Sequence, residues 1–156
     1  KELLYKDVAP ADRARYAERA PTGFVDWARN GDPDLFGRAH LAPLPHPASA
    51  AEAVREWVFH GSRKFSGQRL VVRPGASAQV VEPGVYSVFA WTGSATWGGL
   101  ELVGGRPGSD EALVVQAAAT RGVEVTNRGS EDFSAYLFSG PDLHPEAALL
   151  GEAWAR

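Results

Sequence analysis

From residue 54 to 138 the chain is a succession of short β-type runs punctuated by glycine and proline, and no other feature constrains the fold so much. The runs fall at 54–60, 65–73, 77–82, 84–92, 94–97, 99–103, 112–116, 121–127 and 132–138. A spacing of about 8–12 residues is the rhythm of an antiparallel sandwich or barrel. No helix-length periodic segment interrupts the runs, which argues against a parallel α/β sheet. The stretch AAAT at 117–120 gives one helical turn at most. Alternation within 84–92 puts Tyr86, Val88 and Ala90 on one face and Val85, Ser87, Phe89 and Trp91 on the other. Both faces are largely apolar. The strand is therefore expected to be covered twice, by a barrel interior and by a second sheet or subunit.

The flanks read differently. Residues 1–20 begin apolar and become a polar stretch rich in Ala, Arg and Glu. The pattern predicts a helix over 12–19, capped by Asp12, with Tyr16 on its one apolar stripe. So narrow a stripe needs a partner, on the main body or on another subunit. Residues 21–50 read as an irregular wrap broken by Pro21, Pro33, Pro43, Pro45 and Pro47, with turn chemistry at Gly31-Asp32-Pro33. Phe24, Trp27, Leu35, Phe36 and Leu41 are its expected anchors. After Gly140-Pro141 the tail predicts a terminal helix with Leu149, Leu150 and Trp154 on its apolar face. The expected organisation is an arm and proline-rich wrap over 1–50, a barrel over 51–141 and a helical tail over 142–156.

Composition narrows the function classes. A chain of 156 residues, 44% apolar and 22% charged, suits one soluble domain that buries roughly two-thirds of the surface exposed when unfolded. A net charge of −3 argues against a nucleic-acid partner, whose nonspecific binding needs a basic field. No run approaches the ~18 apolar residues of a bilayer-spanning helix and no signal peptide opens the chain. No membrane partner and a cytoplasmic location are therefore expected. Without cysteine there is no disulfide, thiolate catalysis or cysteine zinc site. Methionine and isoleucine are also absent, and Ala and Arg abound as in a GC-rich coding sequence. A chain that begins at Lys1 and lacks Met reads as a piece of something longer.

Several residues in the β block resemble the cupin superfamily. Arg73-Pro74-Gly75 followed by a strand is similar to the Pro-Gly turn that opens the first cupin motif, and Gly75 and Gly93 stand where its two glycines would. Tyr86 falls on the motif's Glu position. In RGVEVTNRGSED, Asn127 matches the Asn of the second motif and Val123 occupies its His position. From about Asp26 to Pro141, the segments DWARNGDPDLFGRAHLAPLP, FHGSRKFSGQRLVVRPG and GVYSVFAWTGSATWGGLEL resemble uncharacterised bacterial cupins described as similar to mannose-6-phosphate isomerase. Many of those have two barrels, and this sequence resembles the C-terminal one. The resemblance implies an all-β, cupin-type double-stranded β-helix, or jelly-roll barrel, with an N-terminal arm and a short C-terminal helix. Cupin centres usually combine three His and one Glu, a set suited to Mn, Fe, Ni or Zn. Here Gln79 and Glu82 are the only strong donors between Gly75 and Tyr86. No metal and no other cofactor is therefore expected.

Four histidines remain, His40, His46, His60 and His144, and no two are spaced as metal ligands. His60 ends a strand before Gly61, where a barrel mouth is expected to open, and is the candidate acid or base with Tyr86. If the motif alignment holds, Tyr86, Asn127 and Arg69 line a polar pocket in which Trp97 and Tyr136 take a sugar ring. The competing reading makes these aromatics plain core. Arg63, Lys64, Arg69 and Arg73 either receive a phosphate or form a solvated sheet edge. Three functions follow. The first is a degenerate, metal-free cupin domain serving assembly or sugar-like small-molecule binding in a sugar-isomerase-like protein. The second is a sugar-phosphate isomerase using His60, Arg69, Tyr86 and Asn127. The third is a structural dimerisation module. The expected partners are a sugar or sugar phosphate, and a second copy or another cupin domain.

Overall fold

The computed structural model describes residues 9–14, 28, 31–34, 37, 40 and 42–150. Two compact units divide the chain, Lys1–His40 and Leu41–Arg156. In the first, Pro10–Asp12 forms a 3-10 turn with Ala9 at its N-cap position and no side-chain cap. Proline at the first position explains this start, because its fixed φ suits the turn. Tyr16, most of the expected helix over 12–19, and the anchors Phe24, Trp27, Leu35, Phe36 and Leu41 lie outside the described residues.

The second unit contains β1 (Leu44–Pro45), β2 (Ala53–Phe59), β3 (Ser66–Val72), β4 (Ser77–Val80), β5 (Tyr86–Thr92), β6 (Ser94–Trp97) and β7 (Leu100–Val103). It continues with β8 (Glu111–Val114), helix α1 (Gln116–Arg121), β9 (Val123–Thr126), β10 (Phe133–Ser139) and helix α2 (Pro145–Leu149). All nine expected runs are strands, each end within two residues of its expected place. Turn chemistry set those limits well.

The strands form two sheets, β1-β2-β3-β10-β5-β8 and β4-β9-β6-β7. Antiparallel pairs join β3 to β10, β4 to β9, β5 to β8 and β6 to β7. The chain from β3 to β6 thus runs beside the chain from β10 back to β7 as one two-stranded ribbon. That ribbon passes alternately through the six-stranded and four-stranded sheets, which makes a double-stranded β-helix.

Alternating residues fill the space between the sheets. Tyr86, Val88 and Ala90 of β5 face inward with Phe133, Ala135 and Leu137 of β10 and Trp97 of β6, all buried. Each large side chain buried here contributes about 1.5–3 kcal/mol. The ribbon changes sheets after β5 at Gly93, where φ is +70° and a Cβ would stand 2.6 Å from the Asp132 carbonyl oxygen. Only glycine fits so close an approach at positive φ. Gly75, at φ +77°, turns the chain into β4. The two glycines of the motif resemblance are thus both left-handed turn positions.

Three expectations are corrected. The wrap is not wholly irregular, since Leu44–Pro45 pairs with β2 as an edge strand, where proline's missing N–H is harmless. The second compact unit, which starts at Leu41, accordingly includes β1. The stretch 117–120 belongs to a six-residue helix, α1. In α2 the buried side chain is Ala147, whereas Leu149 is exposed, because Gly61 N–H donates to the Ala147 carbonyl at 2.8 Å and draws that side onto the barrel. Trp154 lies outside the described residues. Among the described residues no second sheet lies on the outer face of β5, where Trp91 is 58% exposed. The four-stranded sheet covers only the Tyr86 face, and Trp91 is the extra residue of a bulge where the register shifts from Ser134↔Thr92 to Ala135↔Ala90.

Candidate functional site

Two strands carry polar residues on their inward faces. β2 turns Ala53, Arg55 and Trp57 inward, and β3 turns Gln68, Leu70 and Val72 inward. Arg55 is 3% exposed, and Glu82, just past β4, is 1% exposed. Burying a charge is tolerated only when it is paired and hydrogen-bonded. Arg55 Nη2 donates to Glu82 Oε1, and Arg55 Nε donates to Gln68 Oε1 at 2.6 Å. Gln68 Nε2 reaches both Glu82 oxygens at 3.3 and 3.4 Å. His144, buried ahead of α2, completes the set, with Nε2 2.6 Å from Glu82 Oε2 and Nδ1 2.9 Å from Glu146 Oε1. Trp57 lies between the rings of His46, at 4.7 Å, and His144, at 5.0 Å.

The electrostatics follow from this packing. Burial pulls the Arg55 guanidinium down to about 10, against a smaller opposing pull from Tyr86, so it stays a cation at neutral pH. Burial raises the Tyr86 phenol above its ordinary value. The Trp97 indole and the Arg55 cation pull it back, although neither Tyr86 Oη nor Trp97 Nε1 makes a hydrogen bond of proper geometry. Half-buried His46 is lowered to about 4, first by burial and then by the Arg55 and His144 charges, outweighing Glu146. Its Nδ1 accepts the Ala48 N–H at 3.0 Å, which holds that nitrogen unprotonated.

A pH prediction follows. Between about pH 4 and 6.5 the unfolded chain binds the His46 proton and the folded chain does not. Stability contributed by His46 therefore rises with pH through that window and is level above it. His46→Phe, which keeps a ring against Trp57, is expected to gain on the wild type as pH falls from 6.5 to 4.5. Urea titrations at both pH values measure this, and an unchanged difference contradicts it.

Glu82 has donors on both oxygens, so it is a fixed counter-ion and not a free base. The places of the cupin ligands hold Tyr86 and Val123, both buried. Among the described residues no three His, Asp or Glu side chains gather as a metal site. A transition-metal ion does not fit a donor set whose buried carboxylate already faces a guanidinium.

The residues singled out by sequence divide between two faces. Tyr86 and Trp97 are inside with ring centroids 6.4 Å apart. Arg69 and Tyr136 are cross-strand neighbours on the opposite, outer face, because their parity is opposite to that of Gln68 and Leu137. Arg69 pairs with Glu56, its neighbour on β2. The expected convergence of His60, Arg69, Tyr86 and Asn127 is therefore corrected. His60 stands at no open mouth: it is buried, with Nε2 3.2 Å from the Ala42 carbonyl and Nδ1 unpartnered. Asn127 is buried, and its side chain ties its own β9–β10 loop together and to the end of β3, donating to the Val72 and Glu131 carbonyls at 2.8 Å and accepting from Gly129 N–H. Asn127→Leu leaves those backbone groups unpaired, and about 1–3 kcal/mol of stability is expected to go. A chemical-denaturation midpoint equal to wild type contradicts that role. Arg55, Gln68 and His144 were missed as a cluster. The available signal was a charge on the inward phase of β2, between Ala53 and Trp57.

The outer face of the six-stranded sheet is the second feature. One register row reads Glu56–Arg69–Tyr136–Phe89–Glu111 across β2, β3, β10, β5 and β8. The next reads Phe59–Gly67–Phe138–Ser87–Leu113. Tyr136 stacks on Phe138 and meets Trp91 edge-on, while Phe59 touches both Phe65 and Phe138. Leu113, Trp91, Phe65 and Phe59 are all exposed. Two adjoining open grooves, of about 480 and 570 Å³, share Ser87, Leu113 and Phe138 in their walls.

No protein-family model matches the chain, and no curated protein matches it. Solved structures do. A chain of the Rhodobacter sphaeroides complex of SigE with the anti-sigma ChrR aligns at 14% identity and TM-score 0.52, covering 88% of this chain and 72% of that one. Bacillus subtilis oxalate decarboxylase aligns at 17% identity and TM-score 0.50, covering 62% of this chain but only 28% of the decarboxylase. A cupin with a double-stranded β-helix fold from Methanocaldococcus jannaschii aligns at 11% identity and TM-score 0.48, covering 65% and 91%. At such identities the likeness speaks for the fold. For the first two, at TM-scores of 0.52 and 0.50, it agrees with the nested pairing of β3–β6 against β7–β10, which makes a double-stranded β-helix.

Proposed function

We propose that this barrel works by assembly, holding the outer face of its six-stranded sheet against another protein's sheet, and that its interior is a structural support. The observation that carries this reading is the exposed aromatic and aliphatic face formed by Phe59, Phe65, Trp91, Leu113 and Phe138. Monomeric proteins seldom leave so continuous an apolar patch in water. The interior supports the reading too. Its polar groups are largely tied to one another, and Asn127 serves loop closure. The setting of a sugar-isomerase-like protein rests on the sequence resemblance alone.

Light scattering and dye binding test the reading. The wild-type chain is expected either to associate or, as a monomer, to bind an apolar fluorescent dye. Phe138→Lys is expected to reduce whichever is seen by at least fivefold with little change in thermal stability. A wild-type monomer that binds no dye at ~100 μM overturns the proposal.

A further inference from the structure

We infer that the occupant of this face is a second copy of the same chain, packed about a two-fold axis that runs parallel to the strands. The inference rests on the assembly reading and deepens it by naming the partner. Its basis is the register. A two-fold axis along the strands, lying between two facing copies beneath the β10–β5 boundary, keeps each row at its own height and reverses its strand order. Strand β3 of one copy then lies over β8 of the other, and β10 over β5.

The two rows are complementary to their own reversals. In the first, Arg69 meets Glu111 of the second copy, and Tyr136 meets Phe89. The opposite charges stand at opposite ends of an aromatic centre, so the pairing occurs twice by symmetry. In the second row, Phe138 meets Ser87, the smallest outward side chain on β5, where the grooves are. Leu113 meets the Phe59 and Phe138 rings, which lie across Gly67 so closely that a Cβ there would be 2.6 Å from Phe59 Cδ2. Large thus opposes small, and cation opposes anion. In the antiparallel alternative, with the axis across the strands, each row moves to another height and Arg69 no longer meets Glu111.

In this register β2 overhangs, and β3, β10, β5 and β8 overlap. Strands β3, β10 and β5 have seven residues each and β8 has four. At ~4.8 Å between strands and ~3.3 Å per residue, the overlapping flat face is roughly 400 Å². Two such faces bury roughly 800 Å², the size of a weak, reversible dimer. Isologous packing of one patch on itself is also the commonest form of protein assembly.

The test is charge reversal on the full chain, read by sedimentation equilibrium between ~1 and 100 μM. Wild type is expected to be a dimer. Arg69→Glu and Glu111→Arg are each expected to weaken dimerisation at least tenfold, because each sets like charges opposite each other twice. An equimolar mixture of the two single variants, and the double variant alone, are expected to dimerise within about threefold of wild type. Circular dichroism melts guard against unfolding. Glu111→Arg is the cleaner probe, since Arg69 also pairs with Glu56 within its own chain. A wild-type dimer lost on Phe138→Lys but indifferent to both reversals overturns the parallel register and leaves the assembly reading standing. A wild-type monomer that still binds the apolar dye overturns the second-copy inference alone, and a monomer that binds none overturns both.

Discussion

Replacing Glu82 with leucine is expected to destabilise the barrel by about 3–5 kcal/mol, because it leaves the buried Arg55 guanidinium without its counter-ion. Gln68 alone cannot neutralise that charge, and the His144 contact that ties the tail to the barrel goes with it. For a domain of this size such a loss lowers Tm by about 8–15 °C. The combined Arg55→Met and Glu82→Leu variant is expected to recover at least half of the loss, because no uncompensated charge then stays buried. Urea denaturation with an unchanged slope measures both variants. A single-variant loss below about 1 kcal/mol, or a double variant worse than the single, contradicts a closed buried pair.

Two phenylalanines on β10 are expected to respond in opposite ways to truncation. Phe133 faces inward, fully buried beside Trp97 at a centroid distance of 6.4 Å. Phe133→Ala opens a cavity between the sheets and is expected to cost about 3–5 kcal/mol. Phe138 lies on the outer face at 37% exposure. Phe138→Ala, studied at concentrations low enough to keep the chain monomeric, is expected to cost under about 1 kcal/mol, mostly lost contact with Phe59 and Tyr136. Equal losses at the two positions contradict the inward and outward assignment on which both the core and the docking face depend.

The strands were legible in the sequence because their limits are set locally. Gly75 and Gly93 are turn residues at positive φ, and β5 and β10 alternate cleanly enough to mark their inner faces. The resemblance around those glycines, Tyr86 and Asn127 also pointed to the right fold. The site was much less legible. Arg69 and Gln68 are adjacent in sequence, so choosing the wrong one as inward moves the chemistry to the other side of the sheet. His144 is 62 residues from Glu82, and no local rule foretells that a tail histidine will close a network begun by β2. The short β1 was hidden by Pro45, which argues against strand unless its N–H side faces outward at an edge.

The sequence by itself determined that the chain makes many short antiparallel strands, which of their residues alternate together, and which glycines turn them. Periodicity and turn stereochemistry act over a few residues, so they can be read in order. Tertiary structure alone decided what the faces meet. It set the four-stranded sheet against Tyr86 and Trp97, drew Arg55, Gln68, Glu82 and His144 into one buried network, and left Trp91, Leu113 and Phe138 facing water. The physical reason is that long-range pairing, β3 with β10 above all, brings together groups distant in sequence, and only their packing shows which charges are neutralised and which apolar surface remains to be covered.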